Sequence, residues 1–237
     1  MDKLIIVMPV YNEEVNLERT VKEWHPLTFL GVNSKLLLMN DGSLDSSYEI
    51  LKKLENEYQN VIIMTKPNEG HGPTVRKLYQ EALNLGADYI FQTDSDGQTD
   101  PGAFQAFWEA REQYAMQIGN RKPREDGISR VIVSYVLKLI LLLFFGQWCK
   151  DPNAPFRLMH REVVETFLPL IPENFNLTNA ILSVFASYSK MHSRYVDIRF
   201  KPRQGGKNSI NISRIIQIGL ETMRRMPAIN AKMRKRL

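Results

Sequence analysis

Four short apolar runs alternate with longer amphipathic stretches over about the first hundred residues, and this alternation most constrains how the chain can fold. Each run is rich in aliphatic and β-branched residues and stops at polar or turn-forming residues, which is typical of a buried strand. The runs are KLIIVMPVY, SKLLLMND, NVIIMTKP and DYIFQTD. Strands that alternate with helices at short spacing predict an open parallel sheet with helices on both faces.

The helix starts carry local signals. We expect Asn12 to cap the first helix and Asp45 or Ser46 to cap the second. Gly70 and Gly72 precede the third helix, where backbone N–H groups can approach a ligand closely. This entry lacks both the Gly-x-Gly-x-x-Gly spacing and the lysine-serine pair of a P-loop, which argues against dinucleotide and kinase-type sites.

A polar cluster follows each predicted strand. The clusters are PVYNEE, NDGS, NEGHG and DSDGQ, in chain order. In open sheets of this kind, ligands bind outside the carboxyl ends of the strands. The four polar loops are therefore predicted to converge on one edge of the sheet and to form the functional site.

The fourth cluster gathers carboxylates where a buried strand ends. Asp94 and Asp96 alternate, and Gln98 follows two positions later. Like charges this close repel unless a cation lies between them, and oxygen ligands at this spacing suit Mg²⁺ or Mn²⁺ bridging to a diphosphate. The alternative is an acidic loop that only caps a helix, for which Asp100 and Pro101 are a plausible start.

Other polar residues have two explanations each. Asp41 can accept a hydrogen bond from the N–H of a nucleotide base, or it can form a local Asx turn. His71 can contact a ligand, or it can be an ordinary surface histidine. Four cationic residues of the second half are candidate phosphate ligands, although each alone can also be a solvated charge. They are Arg121, Arg157, Arg203 and Lys207.

The second half is less regular. Arg130–Gly146 is strongly apolar but shorter than the ~20 residues of a spanning helix, so it is a buried helix or one partly sunk in a bilayer surface. The net charge of +5 is concentrated in a basic tail, which can face nucleic acid, anionic lipid or water. We predict a main domain at residues 1–210 and an amphipathic helix with this tail at 211–237.

The cysteine content and the amino-terminal segment both bear on the cellular compartment of the protein. Cys149 is the single cysteine of the 237 residues, which rules out an internal disulfide framework and suits a reducing environment. The amino-terminal apolar run is too short for the hydrophobic core of a signal peptide, and acidic residues follow it at once. We therefore expect a cytoplasmic location.

The ordered motifs resemble those of the family-two inverting glycosyltransferases, which have the GT-A fold. PVYNEE, NDGSLDSS and DSDGQTDP stand in the family's order. In the second half, GNR, DPNAPFR and DIRFKPRQGGKNSINISRII resemble the polyprenyl-phosphate branch, which includes dolichyl-phosphate mannose synthases and undecaprenyl-phosphate glucosyltransferases. The resemblance extends to about Gly219 and implies a Rossmann-like, mostly parallel sheet.

On the donor side, the resemblance implies a pocket for a nucleotide-diphospho-sugar, either a UDP-hexose or a GDP-hexose. Pro9, Tyr11 and Glu13 would line its base and ribose part, and Asp41 would bind the base. Asp94 would face the ribose or the metal.

For the reacting groups, the resemblance implies Mg²⁺ or Mn²⁺ as cofactor and a polyprenyl phosphate or lipid-linked saccharide as acceptor. Asp94, Asp96 and Gln98 would form the metal site, and Asp151 would lie near the acceptor. Arg121, Arg203 and Lys207 would hold phosphates, so that Asp96, Arg121 and Asp151 are the residues expected to act in catalysis.

The chain departs from the family's pattern in three places. Asn40 stands where a second aspartate is frequent, and Pro155 replaces the glycine before Phe156, which affects the shape of the acceptor loop. Gly206 stands where the last motif usually has a serine or another small residue shifted by one position. Many members of this branch continue into transmembrane helices, whereas this chain ends in the basic tail, so we expect a peripheral protein on an anionic membrane surface or a shorter form.

Two alternatives to a polyprenyl-phosphate transferase stay open. One is a soluble family-two transferase whose acceptor is a saccharide hydroxyl, for which Asp151 would be the general base. The other is a non-catalytic module that binds nucleotide-sugar or nucleic acid. We expect no nucleic-acid partner, because the carboxylate-rich strand ends would repel a phosphate backbone.

Overall fold

The computed structural model describes residues 2–122, 128–202 and 212–236. Seven strands form one sheet: β1 (Leu4–Val10), β2 (Lys35–Asp41), β3 (Val61–Lys66), β4 (Tyr89–Gln92), β5 (Met116–Arg121), β6 (Arg157–His160) and β7 (Ser193–Ile198). The helices are α1 (Leu17–Trp24), α2 (Ser47–Glu57), α3 (His71–Asn84), α4 (Phe104–Glu109), α5 (Ile128–Phe145), α6 (Arg161–Phe167), α7 (Thr178–Tyr188) and α8 (Ile212–Arg236).

The strand order is β3-β2-β1-β4-β6-β5-β7. The four strands predicted from the first half are all present, and they pair in parallel, with Val7 of β1 opposite Leu37 of β2 and Gln92 of β4. Their carboxyl ends therefore lie at one edge of the sheet. The predicted mostly parallel α/β fold is confirmed.

Among the strands of the described residues, β6 is the one that runs in the reverse direction. It pairs antiparallel with both β4 and β5, whereas β5 and β7 are parallel to each other. Two reversals restore the direction of β4 in β5, so the end of β5 lies at the same edge as the end of β4. The first residue of the reversed strand, Arg157, lies at that edge as well.

Both faces of the sheet are buried. Along β1, Ile5 and Val7 pack into one apolar cluster, and Leu4, Ile6 and Met8 pack into the other. This alternation is what a strand covered by helices on both sides requires, and it explains why the predicted strands are almost continuously apolar.

The predicted cap of the first helix is wrong. Asn12 has a left-handed backbone with φ of +54°, and its side-chain oxygen accepts a hydrogen bond from the N–H of Leu44 at 2.8 Å. The helix begins later, at Leu17, because Asn12 is used to join two loops of the edge. The N-cap of α2 is Ser46, one of the two predicted residues, although its side chain makes no capping hydrogen bond. The other, Asp45, accepts from the N–H of Ser47 at 3.0 Å.

Helix α5, between β5 and β6, and helix α8, after β7, pack on each other. On α8, Met226, Ile229 and Met233 are buried in the same apolar cluster as Leu141 and Phe145 of α5. The opposite face of α5 is exposed, so this helix is neither wholly buried nor wholly free. Within the described ranges, no helix is both long and apolar enough to cross a bilayer.

The start of α3 depends on a glycine. A Cβ at Gly72 would lie 2.3 Å from the carbonyl oxygen of Asn176 and 2.4 Å from that of Phe175, both of which are backbone atoms. We predict that Gly72→Ala lowers the free energy of unfolding by about 1–3 kcal/mol, because backbone must shift to admit the methyl group. Urea denaturation measures this change.

Gly219→Ala is the matched control. Apart from the neighbouring backbone of its own helix, no atom of the described residues lies within 4 Å of a Cβ at Gly219, which is in α8. There the same substitution should stabilise the protein by up to about 1 kcal/mol, because alanine has the higher helix propensity. Equal unfolding midpoints for the two variants would contradict the packing described for α3.

Candidate functional site

The loops after β1, β2 and β4 are tied to one another at the carboxyl edge. The hydroxyl of Ser95 donates to the carbonyl of Pro9 at 2.8 Å, and the N–H of Glu13 donates to the hydroxyl of Ser47 at 2.8 Å. Pro9 and Glu13 are buried and Tyr11 is partly exposed. The convergence predicted for these loops is thus present, and the role of Pro9, Tyr11 and Glu13 in a base and ribose pocket stays a prediction.

Asp41 is a buried carboxylate that the protein itself compensates. The ammonium group of Lys66 pairs with it, and the N–H groups of Glu69 and Gly70 donate to its two oxygens at 3.0 and 2.9 Å. Three of its roughly four acceptor positions are therefore occupied. Asp41 fixes the loop before α3, and the predicted contact with a base has one acceptor position left to use.

Asp94 lies at the end of β4 with its side chain 25% exposed. Gln92 Nε2 donates to its Oδ1 at 3.0 Å, and His71 Nε2 lies 3.1 Å from the same oxygen. Among the described residues, none donates to Oδ2 of Asp94. One oxygen is thus held by the protein and the other keeps its lone pairs for a ligand.

His71 is a neighbour of Asp94 that the sequence did not identify. Its side chain is 44% exposed, and it is the first residue of α3 rather than a member of the acidic loop. Partial burial lowers the pKa of His71, but the carboxylates of Asp94, Asp96 and Asp41 outweigh this effect, so its pKa lies above its ordinary value. The NEGHG cluster after β3 was the only signal for this contact.

The DSDGQ loop is a tight turn. Asp96 Oδ1 accepts from the N–H of Gln98 at 3.1 Å, and Gly97 has φ of +70°. A Cβ at Gly97 would lie 2.5 Å from the guanidinium of Arg19, so glycine is required for both conformation and space. Asp94 and Asp96 are both partly exposed, and the charge of each acts on His71.

Gln98 is almost fully buried, at 5% exposure. Its Nε2 donates to the carbonyl of Lys201 at 3.0 Å, and the N–H of Lys201 donates back to the carbonyl of Gln98 at 2.8 Å. The acidic loop is thereby joined to the segment after β7. Metal ligation by Gln98 stays a prediction, and Arg203 and Lys207 lie outside the described residues.

Arg121 and Asp151 form a bidentate ion pair. Arg121 Nε and one terminal nitrogen contact the two oxygens of Asp151 at 2.7 and 2.8 Å. The side chains are 13% and 3% exposed, and the guanidinium lies over the ring of Phe200 at 5.3 Å from its centroid. Two residues predicted for separate roles are therefore one unit, in which the carboxylate orients the guanidinium.

The predicted phosphate contact of Arg157 does not fit its position. The side chain is fully buried, and its guanidinium donates to the carbonyls of Pro152, Ala154 and Asn179 and to the hydroxyl of Ser183. Burial lowers its pKa. Arg157 holds the Asp151 loop against α7. An arginine is needed at this position because its guanidinium reaches backbone carbonyls of both the loop and the helix.

No group of three or more histidine, cysteine, aspartate or glutamate side chains that could hold a metal is present in the described part of the chain. Asp94 and Asp96 are two carboxylates, and a ligand must complete any cation site that they form. A diphosphate has the oxygen atoms for that purpose.

The architecture is that of a GT-A nucleotide-diphospho-sugar transferase fold, with its polar edge at the carboxyl ends of parallel strands. The chain belongs to glycosyl transferase family 2, whose model it matches over residues 5–168. The predicted family is therefore confirmed.

Curated relatives agree with the polyprenyl-phosphate branch. The chain is 28% identical over 188 residues to undecaprenyl-phosphate 4-deoxy-4-formamido-L-arabinose transferase of Photorhabdus laumondii, a match that covers 73% of this chain and 56% of that protein. It is 22% identical over 218 residues to the protein of the same name from Salmonella paratyphi B, with 91% and 65% covered. The chain thus spans less than two thirds of the length of these relatives.

Solved structures confirm the fold. Glucosyl-3-phosphoglycerate synthase of Mycobacterium tuberculosis, in complex with Mn²⁺, UDP-glucose and phosphoglyceric acid, superposes with a TM-score of 0.70 at 14% identity. The match covers 98% of this chain and 80% of that one. The same enzyme with Mn²⁺ and UDP-glucose alone gives a TM-score of 0.67.

The buried arginine makes a specific prediction about stability. Arg157→Lys should lower the free energy of unfolding by about 2 kcal/mol or more, because one ammonium group cannot satisfy the carbonyls that the guanidinium now reaches. Urea denaturation followed by circular dichroism measures the loss.

Arg161→Lys is its control, since Arg161 is partly exposed and pairs with Glu165 on the surface of α6. Its effect should stay within about 0.5 kcal/mol. A loss for Arg157→Lys no larger than that of the control would show that Arg157 is not the anchor of the Asp151 loop.

Proposed function

We propose that this protein is a metal-dependent inverting glycosyltransferase that moves a hexose from a nucleotide-diphospho-sugar to a polyprenyl phosphate at the cytoplasmic face of a membrane. The observation that carries the proposal is the ion pair of Arg121 with Asp151 at the same edge of the sheet as the partly exposed carboxylates of Asp94 and Asp96. It supplies a fixed cation for the acceptor phosphate and leaves the carboxylates for the donor side.

The donor set at Asp94 and Asp96 fits a divalent cation, because carboxylate oxygens are ligands that both Mg²⁺ and Mn²⁺ accept. A bound cation would stabilise the negative charge of the departing diphosphate. The M. tuberculosis synthase was solved with Mn²⁺ and UDP-glucose, which supports Mn²⁺ and a uridine donor as the first pair to test. Asp41, Tyr11 and Glu13 are proposed to hold the nucleoside.

A phosphate acceptor fits the Arg121–Asp151 pair better than a hydroxyl acceptor. A phosphate monoester has a second pKa of about 6, so it is largely ionised near neutral pH and needs no general base. A hydroxyl must lose its proton, yet both oxygens of the candidate base Asp151 accept hydrogen bonds from Arg121. The chain then acts by orienting the acceptor with Arg121, and we propose Arg203 and Lys207 as further phosphate ligands.

The acceptor's lipid requires a membrane surface, and α5 and α8 supply the two features that such a surface binds. Apolar side chains at helical spacing are exposed on α5: Val133, Val136, Leu139 and Leu143. Exposed cationic side chains end α8: Lys232, Arg234, Lys235 and Arg236. Apolar insertion together with basic residues near anionic lipid gives a two-signal anchor, in which each cation adds about 1 kcal/mol.

Transfer is tested by following nucleoside diphosphate release from UDP- and GDP-sugars, with Mn²⁺ or Mg²⁺ and with or without undecaprenyl phosphate. Release should require both metal and lipid phosphate. Asp96→Asn should lower it about a hundredfold or more, because a bound cation supplies several kcal/mol of stabilisation.

Asp100→Asn is the control for this variant. Asp100 is on the same loop with its side chain 44% exposed, and it contacts Lys201 rather than the proposed cation. Its activity should stay within about twofold of wild type, because a surface substitution of this kind usually changes the free energy of unfolding by less than about 0.5 kcal/mol. Release that needs neither metal nor lipid phosphate would contradict the proposed function.

Membrane binding is tested with Leu143→Glu, a change at a side chain that is 80% exposed on α5. Burying one leucine contributes about 1.5–3 kcal/mol, so partitioning onto vesicles of anionic phospholipid should fall about tenfold or more in a flotation assay.

Phe29→Glu adds the same charge at a residue 64% exposed near the opposite, amino edge of β2. It should leave vesicle binding close to that of wild type. An equal loss in both variants would place the bilayer contact elsewhere than on α5.

A further inference from the structure

A chain of buried side chains leads from Asp94 into the protein. Gln92 Nε2 donates to Asp94, Asn179 Nδ2 donates to Gln92 Oε1 at 2.9 Å, and the hydroxyl of Tyr79 donates to Asn179 Oδ1 at 2.7 Å. Gln92, Asn179 and Tyr79 are 0%, 2% and 0% exposed. Strand β4, helix α7 and helix α3 are thus joined by hydrogen bonds that end on one carboxylate.

The direction of the chain is fixed by its ends. An ionised carboxylate only accepts, so the amide of Gln92 must present its nitrogen to Asp94 and its oxygen to Asn179. Asn179 must then donate to Gln92 and accept from Tyr79. Burial raises the pKa of Tyr79 well above its ordinary value, so its hydroxyl keeps the proton that it donates.

Asn179 also reaches the acceptor side. The backbone carbonyl of Asn179 accepts from Arg157 at 2.9 Å. Arg157 also donates to the backbone carbonyls of Pro152 and Ala154, in the loop that begins at Asp151. One residue of α7 therefore connects the carboxylate of the donor side with the loop of the acceptor side. Apolar side chains would fill this space without a desolvation cost, whereas a buried amide destabilises the fold unless all its hydrogen bonds are made.

We propose that Gln92 and Asn179 are positioning residues that orient Asp94 for the divalent cation and hold it in register with the Asp151 loop. The inference rests on the proposed function, because it concerns the metal site proposed there. Without the donor from Gln92, Asp94 can rotate towards His71, and its second oxygen leaves the direction of the cation. Substitution of a residue that hydrogen-bonds to a metal ligand commonly lowers metal affinity by about 10–100-fold.

The test compares two glutamines in the same sheet. Gln92→Met removes the donor and keeps the side-chain volume. Gln117→Met is the control, because Gln117 is also 0% exposed and its Nε2 donates to the carbonyl of Phe107 at 2.8 Å, on β5 and away from the acidic loop. Mn²⁺ binding is measured from the free-ion electron paramagnetic resonance signal, with UDP or GDP present, whichever the wild type binds.

Gln92→Met should raise the Mn²⁺ dissociation constant about tenfold or more, while Gln117→Met should leave it within about twofold. Each variant loses two side-chain hydrogen bonds, since Gln117 also accepts from Arg194 Nε at 2.9 Å, so a fall in melting temperature alone does not separate them. Tyr79→Phe, which removes only the hydroxyl at the far end of the chain, serves if Gln92→Met fails to fold. It should shift the constant in the same direction by a smaller factor.

Unchanged Mn²⁺ affinity in Gln92→Met or, where that variant does not fold, in Tyr79→Phe would overturn the inference and leave the proposed function standing. A wild-type protein that binds neither Mn²⁺–UDP nor Mn²⁺–GDP would overturn the proposed function, and the inference with it. The two failures are therefore distinguishable in one titration series.

Discussion

The parallel pairing of β1 with β2 and β4 is the constraint on which the rest of the site depends, because it places three carboxylates at one edge. Asp41 and Asp94 belong to different strands and would repel each other in isolation. The protein compensates the inner one with Lys66 and two backbone N–H groups. At Asp94, Gln92 and His71 contact one carboxylate oxygen and none of the described residues donates to the other, which is the electrostatic reason to assign a cation there.

The reversed strand β6 gives the site its second half. Because β6 lies between β4 and β5, the end of β5 with Arg121 returns to the same edge as Asp94. The loop before β6 brings Asp151 to that arginine, and Arg157 secures the loop from inside. The groups proposed for the donor and for the acceptor thus come from opposite sides of one antiparallel strand, and α7 is hydrogen-bonded to Gln92 and to Arg157.

The sequence predicted the four strands of the first half, their common edge and the acidic loop, because these depend on local composition and on short-range periodicity. It did not predict β5, β6 or β7. It also did not predict the partners across that edge. Lys66 pairs with a residue 25 positions away, and Asn179 bonds to a side chain 87 positions away. No local pattern marks such contacts. For the same reason, the position of Arg157 was not predicted: its charge indicated a phosphate ligand, whereas the fold buries its side chain.

The most direct test of the account is the structure of the transfer product determined by nuclear magnetic resonance. The account predicts that the sugar is joined through its anomeric carbon to the lipid phosphate, with the anomeric configuration inverted relative to the donor. That result follows from one displacement by an ionised phosphate positioned by Arg121. A sugar bound to a hydroxyl oxygen, or one with retained configuration, would contradict the account, because either would require a base or a second nucleophile at this edge.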